Sequence, residues 1–242
     1  MKDRFTLALS AAALASVGFV AACSSDATNP NETANTRFVN ASAGTASLTA
    51  TNEGRGVASN LNFQNTNGPA GCSTVEHGSD EQIDFFLGGT STGLGSIKAQ
   101  IIAQHNYTVV FYAPNTSAVY PDQFTTPGAG FNALRFINAT GSAGDIYLTD
   151  PSVINVSGSP TIGNLANNQV SGFNSSTATG GTFVNYGTSL TRVRLFAVGS
   201  QVNPRADFTI SQLPANRVGT VVLTPAPSGS STTGFVTTVC GS

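Results

Sequence analysis

Beyond the first three dozen residues, apolar and polar side chains alternate with a period of two. Over residues 82–87, Ile83, Phe85 and Leu87 alternate with Gln82, Asp84 and Phe86. Over residues 96–101, Ile97, Ala99 and Ile101 alternate with Ser96, Lys98 and Gln100. Residues 192–195 and 207–210 show the same pattern. Successive side chains of a strand point to opposite faces, so this period predicts half-buried strands. Gly, Pro and Asn punctuate the runs at short intervals, the turn spacing of an all-β sandwich or barrel. No window after the N-terminal segment carries a convincing helical period.

The chain also repeats itself. Thr36-Arg37-Phe38-Val39-Asn40-Ala41-Ser42 returns as Leu134-Arg135-Phe136-Ile137-Asn138-Ala139-Thr140. Tyr107-Thr108-Val109-Val110-Phe111 returns as Gly219-Thr220-Val221-Val222-Leu223. Between them, Thr74-Val75-Glu76-His77-Gly78 aligns with Phe183-Val184-Asn185-Tyr186-Gly187. Three blocks in one order predict two copies of one β domain, over residues 36–126 and 132–227. Residues 125–130, rich in Gly and Pro, form the junction. Residues 228–242 remain as a C-terminal strand or tail. The expected fold is all-β: two tandem Ig-like antiparallel β-sandwich domains.

The N-terminus is of another kind. Lys2 and Arg4 precede an almost uncharged stretch to Val20, which ends in Val20-Ala21-Ala22-Cys23. This resembles the lipobox of bacterial lipoproteins, in which the signal is removed before a cysteine that is then acylated. The alternative is a transmembrane helix, since about 18 apolar residues is the lower edge of a span. The terminal position, basic start and small-small-Cys site fit residues 1–22 as a lipoprotein signal peptide. Cys23 would then carry lipid, each buried CH₂ contributing about 0.8 kcal/mol of anchoring. Residues 23–35, from the lipidated cysteine through a small, polar, unpatterned stretch, read as a flexible tether.

The opening Arg-Phe-Val/Ile-Asn-Ala-Ser/Thr of each repeat resembles the bacterial domain-of-unknown-function 4397 family. Gly144-Asp145-Ile146-Tyr147-Leu148 is similar to that family's second strand, and Asn106-Tyr107-Thr108-Val109-Val110 to its last. In the first copy, Ala46-Ser47-Leu48-Thr49 lacks the Asp and Tyr. The resemblance implies an exported β-sandwich, often in tandem, and brings no catalytic residues.

Charge narrows the partners. Charged residues are 9% of the chain, against roughly 25% in ordinary globular domains. Once residues 1–22 are removed, eight basic and eleven acidic residues remain. That excludes a nucleic-acid footprint and suits an exported protein solubilised by Asn, Ser, Thr and Gly. Of three cysteines, Cys23 goes to lipid. In an oxidising compartment Cys72 and Cys240 read as a disulfide, with two separate thiols as the alternative.

Candidate chemistry is thin. Gly89-Thr90-Ser91-Thr92-Gly93 fits G-x-S-x-G, but a strand follows it and no acid lies between Ser91 and His105, so it reads as a hairpin turn and not a nucleophile elbow. Glu76, His77, Asp80, Glu81 and Asp84 form the one dense ionisable cluster. It reads as a solvated loop between two strands. Of its members, Glu76, Asp80, Glu81 and Asp84 are a weak Ca²⁺ candidate, without the spacing of an EF-hand or a zinc signature. Any glycosidase-like carboxylate pair would have to come from Glu76, Asp80 or Asp84, and nothing selects a pair. His105 sits at a turn. The sequons at Asn40, Asn115 and Asn138 mean little in a bacterial lipoprotein. Tyr112, Tyr120, Phe124 and Phe131 lie near the junction and read as packing there, with a sugar-stacking or protein-binding patch as the alternative. No cofactor is expected. Together these features describe a non-enzymatic, lipid-anchored envelope protein at the outer membrane or cell surface, structural or adhesive in role. The competing reading is a binding module for glycan or peptide, with envelope glycan or protein as the partner.

Overall fold

The computed structural model describes residues 33–67, 71–171, 181–210, 216–225 and 233–241. The expected signal peptide, Cys23 and the expected tether as far as residue 32 lie outside them. Every regular element among the described residues is a strand. The first half contains β1 (Thr33–Asn40), β2 (Ser47–Asn52), β3 (Arg55–Asn62), β4 (Asn65–Thr66), β5 (Ser73–Glu76), β6 (Gly78–Leu87), β7 (Gly93–Ile101), β8 (Asn106–Ala113) and β9 (Thr116–Pro121). The second contains β10 (Phe131–Asn138), β11 (Gly144–Thr149), β12 (Ile162–Leu165), β13 (Gln169–Val170), β14 (Val184–Gly187), β15 (Arg192–Phe196), β16 (Ala206–Thr209), β17 (Val218–Thr224) and β18 (Thr233–Thr238).

The two halves share one topology. Each has an outer sheet, β3-β2-β6-β7 or β12-β11-β15-β16. Each has an inner sheet, β4-β1-β8-β9 with β5 also on β1, or β13-β10-β17-β18 with β14 on β10. Pairing is antiparallel except for one parallel pair per half. In these pairs β1 lies along β8, with Phe38 opposite Val109, and β10 along β17, with Phe136 opposite Val221. Arg37 and Arg135 therefore occupy equivalent positions, opposite Thr108 and Thr220. The fold is two β-sandwiches built as repeats.

The middle repeat block needs a shift of register. Val75 pairs with Ala34, and Tyr186 pairs with Asn132. Val75 thus corresponds to Tyr186 and not to Val184, and Glu76 to Gly187. A slip of two residues keeps every side chain on the same face of a strand, so the periodicity could not detect it. Burial separates the two: Val75 lies in the first core and Tyr186 packs on the second, whereas Val184 is exposed.

The repeated opening motif can be read atom by atom. Phe38 and Phe136 enter the cores of their own sandwiches. Val39 and Ile137, one residue on, point the other way into a cluster shared by both halves. The fully buried Asn40 donates to the carbonyls of Thr45 and Leu61 and accepts from the Ser42 amide. Asn138 does the same with Ser142, Leu165 and Thr140. One side chain so closes the loop after the first strand and ties it to a strand of the opposite sheet. Sequons at buried asparagines of this kind are structural.

Two boundaries move. β1 starts at Thr33, inside the expected tether, because Ala34 is fully buried and the Asn35 amide donates to the His105 carbonyl. The C-terminal run at residues 233–238, expected beyond the second repeat, belongs to it. It is β18, antiparallel to β17 from Thr224–Thr233 to Gly219–Thr238, the counterpart of β9.

Removing one buried asparagine leaves three backbone groups without their partner, at a cost of about 1–3 kcal/mol each at most. Asn138→Ala is expected to lower the unfolding free energy by about 2–4 kcal/mol with the denaturant slope unchanged, and Asn40→Ala comparably. Urea titration measures this; a loss below about 0.5 kcal/mol at both sites would contradict the assigned role.

Candidate functional site

The candidates suggested by local sequence do not converge. Residues 88–92 form the hairpin between β6 and β7. The Thr90 amide and hydroxyl both donate to the Leu87 carbonyl, and Gly89 takes a left-handed φ of 72°. Ser91 is therefore at a turn followed by strand β7, without the helix a nucleophile elbow requires.

The acidic cluster is not a loop. Only His77 falls between strands; Asp80, Glu81 and Asp84 lie on β6 and Glu76 ends β5. Period-two alternation sends Asp84 and Glu81 to opposite faces. Asp80 pairs with Lys98 at 2.7 Å on the surface, Asp84 accepts from Gln82 at 2.8 Å, and Glu81 accepts from Asn52 at 3.3 Å. Among the described residues, no three His, Cys, Asp or Glu side chains are grouped as metal ligands. His77 and His105 are both exposed.

The residues that do converge lie between the halves. The inner sheets face one another, and Val39, Ala41, Val110, Tyr112 and Tyr120 of the first half pack with Ile137, Ala139, Val170 and Val222 of the second. Of the four aromatics near the junction, Tyr112 and Tyr120 are buried here, their hydroxyls 2.7 Å apart, and Tyr120 donates to the Asn168 carbonyl of the other half. Phe124 pairs edge-on with Phe183 at 5.9 Å, and Phe131 is 46% exposed.

A polar network sits inside this interface. Arg135 and Asp122 form an ion pair with both side chains fully buried. Arg135 also donates to the Thr220 hydroxyl at 3.0 Å and the Pro121 carbonyl at 3.1 Å, and its guanidinium lies 4.5 Å from the Phe183 ring centroid. The Thr108 hydroxyl is 3.0 Å from each carboxylate oxygen of Asp122. Burial pushes the Asp122 carboxyl above the usual carboxylate range, against the pull of Arg135 and Thr108. Burial likewise lowers Arg37, with Asp122 pulling it back up, and holds the Tyr112 hydroxyl well above its ordinary value.

The contacts run both ways across the seam. Arg135 of the second half reaches Pro121 at the end of β9. Arg37 of the first reaches the Thr238 hydroxyl at the equivalent place on β18, at 3.4 Å, and the Gly71 carbonyl at 2.9 Å. Such reciprocity marks a self-complementary, two-fold-like packing. Cys72 and Cys240 are bonded across it, with Cα atoms 6.0 Å apart. Register makes Phe183 the counterpart of Cys72 and Gln123 that of Cys240. On the mirrored side, then, Phe183 packs on Phe124, the residue after Gln123, where this side has a covalent bond.

No family model matches the chain, and no curated protein does. Among solved structures, a family CBM26 carbohydrate-binding module from Eubacterium rectale Amy13K, in complex with maltoheptaose, aligns at 10% identity. The alignment covers 85% of this chain and 96% of that one, with a TM-score of 0.24. A likeness at that level carries no conclusion about ligand or role.

Two expectations follow from the seam. Asp122→Ala leaves a buried guanidinium uncompensated and is expected to cost about 3–5 kcal/mol, while the joint replacement Asp122→Leu with Arg135→Met costs markedly less. Chemical denaturation of both variants checks this, and equal losses would contradict it. The disulfide closes a separation of 168 residues, for which chain entropy gives about 5 kcal/mol. Because the interface itself is buried, Cys72→Ser with Cys240→Ser is expected to lower overall stability toward that amount. Unfolding should remain one transition, and the small-angle scattering profile should not change. Separate transitions, or halves that swing apart, would show that the bond alone holds the halves together.

Proposed function

We propose that this chain is a non-catalytic, lipid-anchored protein of the bacterial cell envelope, exported to the outer membrane or cell surface, with a structural or adhesive role. The observation that carries the reading is the fusion of two sandwiches into one body by a buried interface and a disulfide. A rigid, charge-poor body on a polar tether is built to hold position. The disulfide also supports export, since such bonds persist in oxidising compartments. Of the buried ionisable groups, Arg37, Asp122 and Arg135 are engaged in the seam, while Asp145 accepts from the Asn164 and Gly199 amides and Arg194 donates to the Ile154 carbonyl within the second half.

A second reading, a glycan- or peptide-binding module displayed at the surface, is favoured by one observation. The outer face of the β3-β2-β6-β7 sheet carries half-exposed Thr49, Thr51, Asp84 and Phe86.

Anchoring rests on Cys23. Cys23→Ala is expected to move the protein from the membrane pellet to the soluble fraction with its thermal unfolding unchanged. Fractionation after alkaline washing is the measurement. A variant that still pellets would overturn the anchor.

A further inference from the structure

The halves differ most on the outer faces of their outer sheets. In the second half, residues 150–160 lie across that face. Arg192 donates to the carbonyls of Pro151 and Val153, Arg194 donates to that of Ile154 at 2.8 Å, and Val156 packs with Tyr147 and Phe196. The cover works because a polypeptide's carbonyls meet guanidiniums. In the first half the equivalent connection, between β2 and β3, is the two-residue turn Glu53 and Gly54, so among the described residues that segment has no counterpart.

Register shows what stands there instead. Thr49 pairs with Phe86 as Tyr147 pairs with Arg194, and Thr51 pairs with Asp84 as Thr149 pairs with Arg192. Both carbonyl-binding arginines are thus replaced, one by a carboxylate and one by an aromatic ring. Beside them, Ser96 lies opposite Asp84 and Lys98 opposite Gln82. Gly93 lies opposite Phe86, so no side chain on that flank walls off the ring. The face has lost the two guanidiniums that hold peptide carbonyls in the second half. It presents hydroxyls that donate or accept, an acceptor carboxylate and a half-exposed ring; Lys98 is already paired with Asp80 at 2.7 Å, so the Asp84 carboxylate disfavours an anionic ligand.

We propose that this face binds a neutral, hydroxyl-rich polysaccharide, one sugar ring stacking on Phe86 while Thr49, Thr51, Asp84 and Ser96 take its hydroxyls. A pyranose offers the complement: an apolar C–H face for an aromatic ring and a rim of donors for Asp84. An extended peptide is the poorer complement, since the two guanidiniums that meet its carbonyls in the second half are absent here. The proposal deepens the binding reading above and rests on it.

The test is affinity electrophoresis of the full mature protein, extracted in non-ionic detergent. The gels carry dextran, soluble starch, arabinoxylan or hydroxyethyl cellulose, with polygalacturonate as the charged control. Retardation by at least one neutral polymer is expected. Phe86→Ala should weaken it roughly tenfold, and Phe86→Trp should retain it, with melting temperatures unchanged in both. Equal retardation of the wild type and Phe86→Ala would overturn this site while leaving a glycan-binding protein. Retardation by polygalacturonate alone would overturn the neutral-ligand assignment. Mobility unaffected by every polymer would overturn the site and the glycan reading together.

Discussion

Everything in this structure depends on two inner sheets buried on both faces. Strands β1 and β8, and their counterparts β10 and β17, put one set of side chains into their own sandwich and the alternate set against the other half. On a strand with two dry faces an unpaired polar group is costly. In the seam, Arg37, Thr108, Asp122, Arg135 and Thr220 accordingly bond with one another, with carbonyls or across it, while on the sandwich side the buried Thr36 hydroxyl has no partner among the described residues. The linker at residues 125–130 does not set the arrangement of the halves. The packing does, and the linker only has to reach.

The repeat explains why so similar a surface serves on both sides. Two copies of one face can cover each other if each contact is made twice in reverse, and Arg37 on Thr238 and Arg135 on Pro121 are such a pair. Divergence then acts on each copy of a contact separately. The second half's arginine kept a carboxylate, because Asp122 follows β9. The residue after β18 is Val239, so Arg37 meets a hydroxyl and a carbonyl. The same divergence placed a disulfide on one side and two phenylalanines on the other. The buried ion pair is weak evidence for net stability, because desolvating two charges costs about what their attraction returns. It bears on register instead, since sliding one face along the other would part the two buried charges.

Much of this was legible in the chain. Period-two alternation located β6, β7, β15 and β16, and the Arg-Phe-Val/Ile-Asn-Ala motif placed Arg37 and Arg135 correctly. The pairing of Cys72 with Cys240 was legible as one of two alternatives. Tyr112 and Tyr120 were read as packing at the junction, and they do; that whole inner strands join them was not read, although Tyr107-Thr108-Val109-Val110-Phe111-Tyr112 and Val218-Gly219-Thr220-Val221-Val222-Leu223 carried the signal. A strand with almost no polar position is a strand with two dry faces. The acids of β6 were misread because charge density suggested a loop, whereas an outward-facing strand position tolerates Asp as readily as a turn does. The slipped alignment at Val75 arose because similarity was weighed residue by residue, and only pairing with β1 fixes which similarity counts.

The inner faces are constrained twice over, by their own sandwich and by the partner half. The outer faces answer to one sandwich only. Differences between the halves accordingly collect there: Tyr147, Arg192 and Arg194 under a covering segment in one, Thr49, Asp84 and Phe86 left open in the other. An outer face that has lost its internal cover must remain soluble on its own. Thr, Ser, Asp and Lys achieve that without any aromatic residue. Phe86, kept half-exposed among them, is the one residue of that face whose presence solubility does not explain, and a ligand with an apolar ring face does.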